Sequence, residues 1–424
     1  MTSPVLGLDR LPAYALFAGV LAAAGLPIYI HAPKFYFDEY GVSLATMGAV
    51  LFGLRLLDVV QDPLLGWVSG ALGRFRRLAI AVAGFVMAAA MLGLFAIPAP
   101  IDPVWWFALT LGLLFSSFSF LTISAYAQGV DKAERSGPNG HVRVATWRET
   151  GGLVGVCLAA IAPTALALVT PAPFTLFAWG FALATLAAVI WMQSEWQVRA
   201  QQMRLAFGAI LSDRGVRRLL LIAFANAAPV AVSSTLFLFF TEFRLAAPGA
   251  EGPLLLLFFL SAAISTPLWG KAAVRFGLRA ALLSGMTLAV VSLSFAAFLG
   301  AGDVLPFALV CIAAGAAIGA DLTLLPAAFA RQVATVDGPP AQAFGLWAFV
   351  SKLTLAVAAV TVLPLLDAVG LTSGQPATAA ALNMLTLLYA VVPVALKLIA
   401  ILLLVTAPPM AGFMAPNRRP AVAL

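Results

Sequence analysis

The chain has 424 residues, of which 62% are hydrophobic and only 10% charged, and its mean hydropathy is +1.03. A soluble domain carries about 25% charged residues, so this composition excludes an ordinary water-soluble protein and points to a polytopic membrane protein. The net charge of +7 is spread over short loops between apolar stretches, which leaves nucleic-acid binding unsupported.

Twelve apolar stretches follow in chain order, at 11–37, 43–68, 78–99, 103–128, 145–169, 173–194, 218–242, 252–270, 280–300, 303–329, 342–366 and 379–406. Each is long enough to cross a hydrocarbon layer of about 30 Å as a helix, and none shows the alternation of a membrane barrel strand. The fold class expected is therefore all-α, with twelve transmembrane helices. The first stretch is too long for the core of a signal peptide and has no small-residue cleavage pattern, so no cleavable signal is expected. His31 near its outer end reads as an interfacial histidine. Pro27, Pro229, Pro326 and Pro393 are expected to interrupt spans, as a moving membrane protein tolerates. Cys157 and Cys311 fall inside spans and read as small buried side chains.

Basic residues set the orientation. With both termini on one side, that side carries eighteen Lys and Arg residues and the other only Lys34 and Arg244, which predicts cytoplasmic termini. The longest polar connection divides the chain into an N-terminal six-helix bundle (1–195), a central cytoplasmic loop (196–217) and a C-terminal six-helix bundle with a short tail (218–424). The halves echo each other: Gly66 and Gly270, Gly73 and Gly277, and Arg148 and Lys352 are all 204 residues apart. Three matches at one offset on equivalent spans argue for a six-plus-six duplication.

Span 2 contains Arg55-Leu-Leu-Asp58-Val-Val-Gln61-Asp62-Pro63. Positions 55, 58 and 62 share one helix face. A charge facing lipid there costs roughly 2.5–3.5 kcal/mol, so the three must face protein or a water-filled cavity. Two carboxylates at i and i+4 with one arginine leave an excess of negative charge, and such a pair binds a proton or a metal cation. Counted over all spans, Asp58, Asp62, Glu149 and Asp321 stand against Arg55, Arg148, Lys352 and Lys397. A 148–149 pair is disfavoured, because adjacent helical residues diverge by about 100°. Arg148 and Lys352 are expected to face a central cavity. Lys397 is expected to snorkel or to pack structurally.

After span 2 comes Gly66-Trp67-Val68-Ser69-Gly70-Ala71-Leu72-Gly73-Arg74-Phe75-Arg76-Arg77. It resembles the cytoplasmic loop motif of the major facilitator superfamily, with Gly70 where that superfamily usually has Asp. The resemblance implies a gate in which Gly66 and Gly73 allow close packing, while Arg74, Arg76 and Arg77, with Arg275 and Arg279 of the second half, cap helix ends and hold the gate shut. The span 2 signature, together with Asp131-Lys132-Ala133-Glu134-Arg135, Arg148 and Lys352, is similar to that of the melibiose carrier-like glycoside–pentoside–hexuronide:cation symporters. That resemblance implies a coupling-cation site at Asp58, Gln61, Asp62 and Thr122, with Gln61 where the family often has Asn. The tally of buried charge in turn gives a coupling network of Arg55, Arg148, Lys352 and Asp321. The family's sugar-binding carboxylates are missing, since Ala22 and Thr122 stand in their places and Tyr126 replaces a Trp.

Tyr29, Tyr126, Trp147, Asn226 and Trp347, with Arg148, are the candidates for lining a substrate cavity, because aromatics stack on flat faces and Asn both donates and accepts. No nucleotide loop, zinc helix or nucleophile elbow is present, so enzyme chemistry is not expected. The reading is a secondary transporter that carries a small organic solute, sugar-like by resemblance, in symport with a cation by alternating access. A proton is the favoured coupling ion and sodium the alternative, with no other cofactor. An amphiphilic or lipid-like solute is one rival, and a non-transporting receptor or assembly factor another. Nineteen Arg against five Lys, with abundant Ala, suits a bacterial inner membrane, and a monomer in the lipid bilayer is expected.

Overall fold

The computed structural model of the chain describes residues 10–196, 205–336, 338–368 and 378–413, apart from certain side chains within helices, Tyr29 and Arg55 among them. Fifteen α-helices follow in order: α1 Leu11–Ala23, α2 Leu26–Tyr40, α3 Leu44–Ala71, α4 Arg76–Phe95, α5 Pro103–Arg135, α6 Gly140–Leu166, α7 Pro173–Met192, α8 Phe207–Ser212, α9 Arg214–Phe239, α10 Glu251–Phe276, α11 Leu278–Ala296, α12 Val304–Val333, α13 Pro340–Ala368, α14 Ala379–Thr386 and α15 Val392–Val405. Among the described residues, ten helical runs are long and apolar enough to cross a membrane. To these are added α3, 28 residues long but carrying Arg55, Asp58 and Asp62, and the broken span made by α1 and α2. The twelve stretches read from the sequence each find a helix.

The helix starts follow from capping chemistry. Ser43 accepts from the Thr46 amide at 3.1 Å to start α3, Asp102 from Val104 at 3.0 Å to start α5, and Asp213 from Val216 at 2.7 Å to start α9. The first span breaks at Ala24–Gly25, just before Pro27 in the first turn of α2. Proline lacks an amide hydrogen and disfavours a helical residue before it, so it opens a helix more readily than it continues one. Pro393 likewise opens α15 after a π-helical turn, Leu387–Val391. Pro229 and Pro326, by contrast, stay inside α9 and α12 without ending them. At the other end of the bundle α5 runs on to Arg135 and α6 begins at Gly140, further than hydropathy alone indicates. Polar residues hold these extensions, through a 3.1 Å ion pair of Lys132 with Glu195 and an Arg135 bond to the Asp131 carbonyl.

Gly73 (φ +45°) and Gly277 (φ +92°), the pair at the 204-residue offset, both turn the chain in the left-handed region that glycine alone enters readily. The sequence repeat therefore appears as a positive-φ glycine at the matching connection of each half, opening a short 3-10 turn at Gly73 and joining α10 directly to α11 at Gly277.

The buried apolar residues divide unevenly. One cluster belongs to the first six spans and includes Tyr14, Met91, Phe107 and Trp196; another belongs to the last six, around Phe240, Phe307 and Tyr389. A third joins the halves at the end where most arginines sit, bringing Ile123, Ala127, Val130, Val142 and Ala145 against Ala327, Phe329, Ala341 and Phe344. There α3 meets α13 and α6 meets α10 with almost no side chain between. A Cβ on Gly66 would meet the Ala341 carbonyl and Gly345 Cα, one on Gly345 the Asp62 carbonyl, and one on Gly270 the Thr146 side chain. The bundle is thus sealed at its Arg-rich end. Gly345→Ala is expected to loosen that seal, so that a cysteine introduced by Ser69→Cys, at a position only 2% exposed, reacts faster with maleimide. Unchanged labelling would count against glycine packing as the seal.

Candidate functional site

The α3 carboxylates meet a lysine from the opposite half. Lys352 Nζ of α13 lies 3.0 and 3.1 Å from the two Asp62 carboxylate oxygens and 3.5 Å from Asp58 Oδ2. It also donates to Ser119 Oγ of α5 at 2.7 Å. Asp62 is fully buried and Asp58 is 6% exposed. The Gln61 side-chain amide donates to Asp58 Oδ1 at 2.6 Å and accepts from Ser116 Oγ at 3.0 Å. Helical spacing accounts for the constellation on both sides: residues 58, 61 and 62 share a face of α3, and 116 and 119 share a face of α5.

Thr122, assigned to the cation site by resemblance, lies one turn beyond Ser119, and its hydroxyl is buried without a hydrogen-bond partner. The oxygens that reach the carboxylate cluster are those of Ser116 and Ser119. The run Ser116-Ser117-Phe118-Ser119 was the available signal, but hydroxyls are common in spans and reveal nothing of helix rotation.

Arg148 is buried, and its guanidinium lies 3.5 Å from the centroid of the Tyr126 ring. The disfavoured neighbour pair does form: Arg148 Nε reaches Glu149 Oε1 at 2.7 Å, and the Tyr126 hydroxyl donates to the same oxygen at 2.9 Å. The 100° divergence applies to Cβ directions. Two long side chains can still converge on a third group, and Tyr126 is that group. Arg148 Nη2 is left buried without a partner. The other edge of Tyr126 packs on Phe344 of α13, ring centroids 5.1 Å apart, so this cluster also spans the two halves.

Asp321 does not join that network. It pairs with Lys397 at 2.5 Å, and Asn226 accepts from the same ammonium at 2.7 Å. Lys397 is 1% exposed, so it does not snorkel; it is the buried centre of α9, α12 and α15. Asn226 is thereby committed to packing the second half and is not free to face a cavity. Trp147 is 44% exposed and lines an apolar groove between α1, α6 and α7, not the space between the halves. Trp347 lies in the cross-half cluster with its ring 4.8 Å from Phe329. The side chains of Arg55 and Tyr29 fall outside the described residues.

The gate arginines bond within their own halves. Arg76 donates to the Ser124 carbonyl at 3.1 Å, Arg77 to the Trp196 carbonyl at 2.9 Å, and Arg279 to the Leu404 and Val405 carbonyls at 2.8 and 2.6 Å. Arg74 and Arg275 lie over the neighbouring Phe75 and Phe276 rings. Of these, Arg279 caps the end of α15, Arg77 bonds just past α7 and Arg76 meets a carbonyl in the middle of α5, so helix-end capping does not describe the whole set, while the crossing between halves is made by Gly66, Gly270 and Gly345. Gly70, standing where an Asp is usual, offers no anion for a cross-half arginine to meet. His31 is held inside the first half, its Nε2 3.2 Å from the Ala160 carbonyl.

Comparison with known proteins places this geometry. A family model described as MFS/sugar transport protein matches residues 13–408. No curated protein matches the chain significantly. Among solved structures, the human organic anion transporter MFSD10 (TETRAN) superposes with a TM-score of 0.64 at 17% identity, over 95% of this chain and 100% of that one. A bacterial homologue of the iron transporter ferroportin in an outward-facing state superposes at 0.68 with 14% identity, over 93% and 98%. A structure described as a bacterial homologue of ferroportin in the outward-facing state with soaked iron gives 0.71 and 15%, over 94% and 99%. At these identities the likeness is one of fold, the twelve-helix major facilitator fold.

Proposed function

The chain belongs to the MFS/sugar transport protein family, and from that premise we propose that this membrane transporter, which is not an enzyme, moves a small organic solute in symport with a cation. The observation that carries the reading is the Lys352 ammonium seated on Asp58 and Asp62 from across the two halves. An ammonium bound to two carboxylates and a hydroxyl occupies the position of a bound cation. Among the described side chains, Arg148 serves Glu149 and Lys397 serves Asp321, so two carboxylates share the single charge of Lys352. Two buried carboxylates converging on one ammonium form a place that a competing cation can occupy.

A coupling ion entering at Asp58 and Asp62 competes with Lys352 for the same oxygens. Since Lys352 belongs to α13 and the carboxylates to α3, displacing it loosens one of the two seams that close the Arg-rich end. Ion binding is thereby linked to which end of the bundle opens, as symport requires. Solute binding falls to the adjoining cross-half cluster, where Arg148 Nη2 has an unused donor beside the Tyr126 hydroxyl and the Glu149 carboxylate. Ala22 and Thr122 supply no carboxylate there, so the polar grip on a sugar-like solute rests on Arg148, Glu149 and Tyr126.

A second reading, carriage of an amphiphile, is favoured by one observation. The groove between α1, α6 and α7 holds about 710 Å³ among apolar side chains such as Leu16, Val154, Leu158 and Phe181. Uptake into proteoliposomes of sugars and of lysolipids, with and without a pH or sodium gradient, tests both. Accumulation driven by an imposed cation gradient is expected, and flux indifferent to both gradients would overturn symport. Lys352→Gln is expected to bind the coupling cation more tightly and to turn over more slowly, because the competing charge is gone. Faster turnover with weaker cation binding would contradict the displacement scheme.

A further inference from the structure

The groove between α1, α6 and α7 is a concavity on the outer side of the first half. Trp147, Leu158 and Leu176 on its rim are exposed, which in a membrane span means that they face lipid. It holds about 710 Å³, within the roughly 300–1,000 Å³ of sites that take one small molecule. Its floor is the α1–α6 seam, where glycine lets the two backbones touch. A Cβ on Gly151 would meet the Ala15 carbonyl, and one on Gly155 the Gly19 carbonyl. Its walls are large apolar side chains, Leu16, Phe177 and Phe181 among them. On the α7 wall, Gly180 borders open space, since a Cβ added there would meet nothing within 4 Å.

The groove changes character toward the Arg-rich end. Residues 143, 147, 151, 154 and 158 share one face of α6, so the face that lines the groove runs back through Trp147 to the exposed Arg143. Arg10, exposed just before α1, donates to Ser194 Oγ just past α7. A guanidinium carries five N–H donors, so that bond leaves Arg10 able to meet a phosphate as well. Glu195, the acid at this end of α7, is engaged by Lys132 at 3.1 Å. An apolar trough ending in an indole and two guanidinium groups matches an acyl chain joined to an anion. We propose that the groove binds one anionic phospholipid from the leaflet at the Arg-rich end, its acyl chain over the α1–α6 seam and its phosphate at Arg10 and Arg143. This lipid is a resident ligand and not cargo, because the groove lies outside the space between the halves. Since Trp147 adjoins Arg148 on α6, a lipid seated here braces the helix that carries the cross-half cluster. The inference goes beyond the transport reading and does not depend on the coupling ion.

The test is native mass spectrometry and thermal unfolding of the full-length protein in detergent, titrated with phosphatidylglycerol or with phosphatidylcholine. The wild type is expected to retain one phosphatidylglycerol and to gain stability from it saturably, and to respond far less to phosphatidylcholine. Gly180→Trp, which fills the groove from a position with open space around it, is expected to lose both the retained lipid and the gain. Its unfolding temperature in lipid-free detergent should match wild type, which shows that the fold is kept. Gly180→Leu, a smaller filling, is expected to weaken retention less. Arg143→Gln is expected to weaken phosphatidylglycerol binding about fivefold, the effect of one surface cation on an anionic lipid, and to leave phosphatidylcholine unaffected. Wild type that retains neither lipid, or both equally, would overturn the proposal, as would folded Gly180→Trp that keeps its lipid. Lysolipid flux in proteoliposomes that Gly180→Trp stops would make the groove a path for cargo and would overturn it too.

Discussion

Asp62→Asn is expected to abolish uphill accumulation of solute while leaving downhill exchange measurable. One elementary charge moving down 100 mV supplies about 2.3 kcal/mol, close to a fiftyfold concentration ratio, and that ratio is lost when ion and solute no longer move together. Asp62 is the carboxylate for which this effect should be largest. It is fully buried, and both of its oxygens lie nearer Lys352 than does the contacting oxygen of Asp58. An asparagine there keeps the shape and one acceptor but removes the charge that a coupling ion needs. Lys352 then has Asp58 to itself, and one of the two carboxylates that a coupling ion would share is gone. Asp58→Asn should act in the same direction. Comparing accumulation under an imposed gradient with solute counterflow in one set of proteoliposomes separates coupling from translocation. Accumulation undiminished in both variants would remove Asp58 and Asp62 from the coupling role.

Much of this was readable in the chain because buried charge is costly and therefore conspicuous. Arg148 and Lys352 are charges inside apolar spans, and their 204-residue offset, shared with two glycine pairs, marks a repeat in the sequence itself. The span limits were readable for the same reason, apart from the break at Ala24–Gly25 and the polar extensions of α5 and α6, where proline geometry and ion pairing override hydropathy. Partner choice was less visible. Whether Asp321 meets Arg148 or Lys397 depends on how far each helix is rotated about its axis, and spans that are apolar nearly all round carry little trace of that rotation. For that reason the sequence carries no sign that Ser116 and Ser119 face the α3 cluster, or that Asn226 is committed to Lys397. Arg148 and Glu149 pair despite the 100° divergence of their Cβ directions because both side chains are long enough to converge beside Tyr126. Trp147, one residue from Arg148, points out of the bundle, and on a helix the two faces belong to different environments.

The largest expected effect on stability lies away from the coupling site, at Lys397. Its ammonium is 1% exposed and is held by Asp321 at 2.5 Å and Asn226 at 2.7 Å, so three helices, α9, α12 and α15, converge on one charge. Removing one member of such a pair strands the other in low dielectric, which costs about 3–5 kcal/mol, whereas replacing both by neutral groups of similar volume is often nearly neutral. Lys397→Met and Asp321→Asn are each expected to lower the thermal unfolding temperature in nanodiscs sharply. The double variant is expected to recover most of the loss, and the recovery measures the pair itself. The double variant should also still accumulate solute, since its site shares no bond with Lys352 or Arg148. Single variants that lose no more than a typical surface substitution, about 0.5 kcal/mol, would show that the pair does not hold the second half together. A stable double variant with no uphill transport would instead draw Asp321 into ion coupling, and make the second half carry a titrating group of its own.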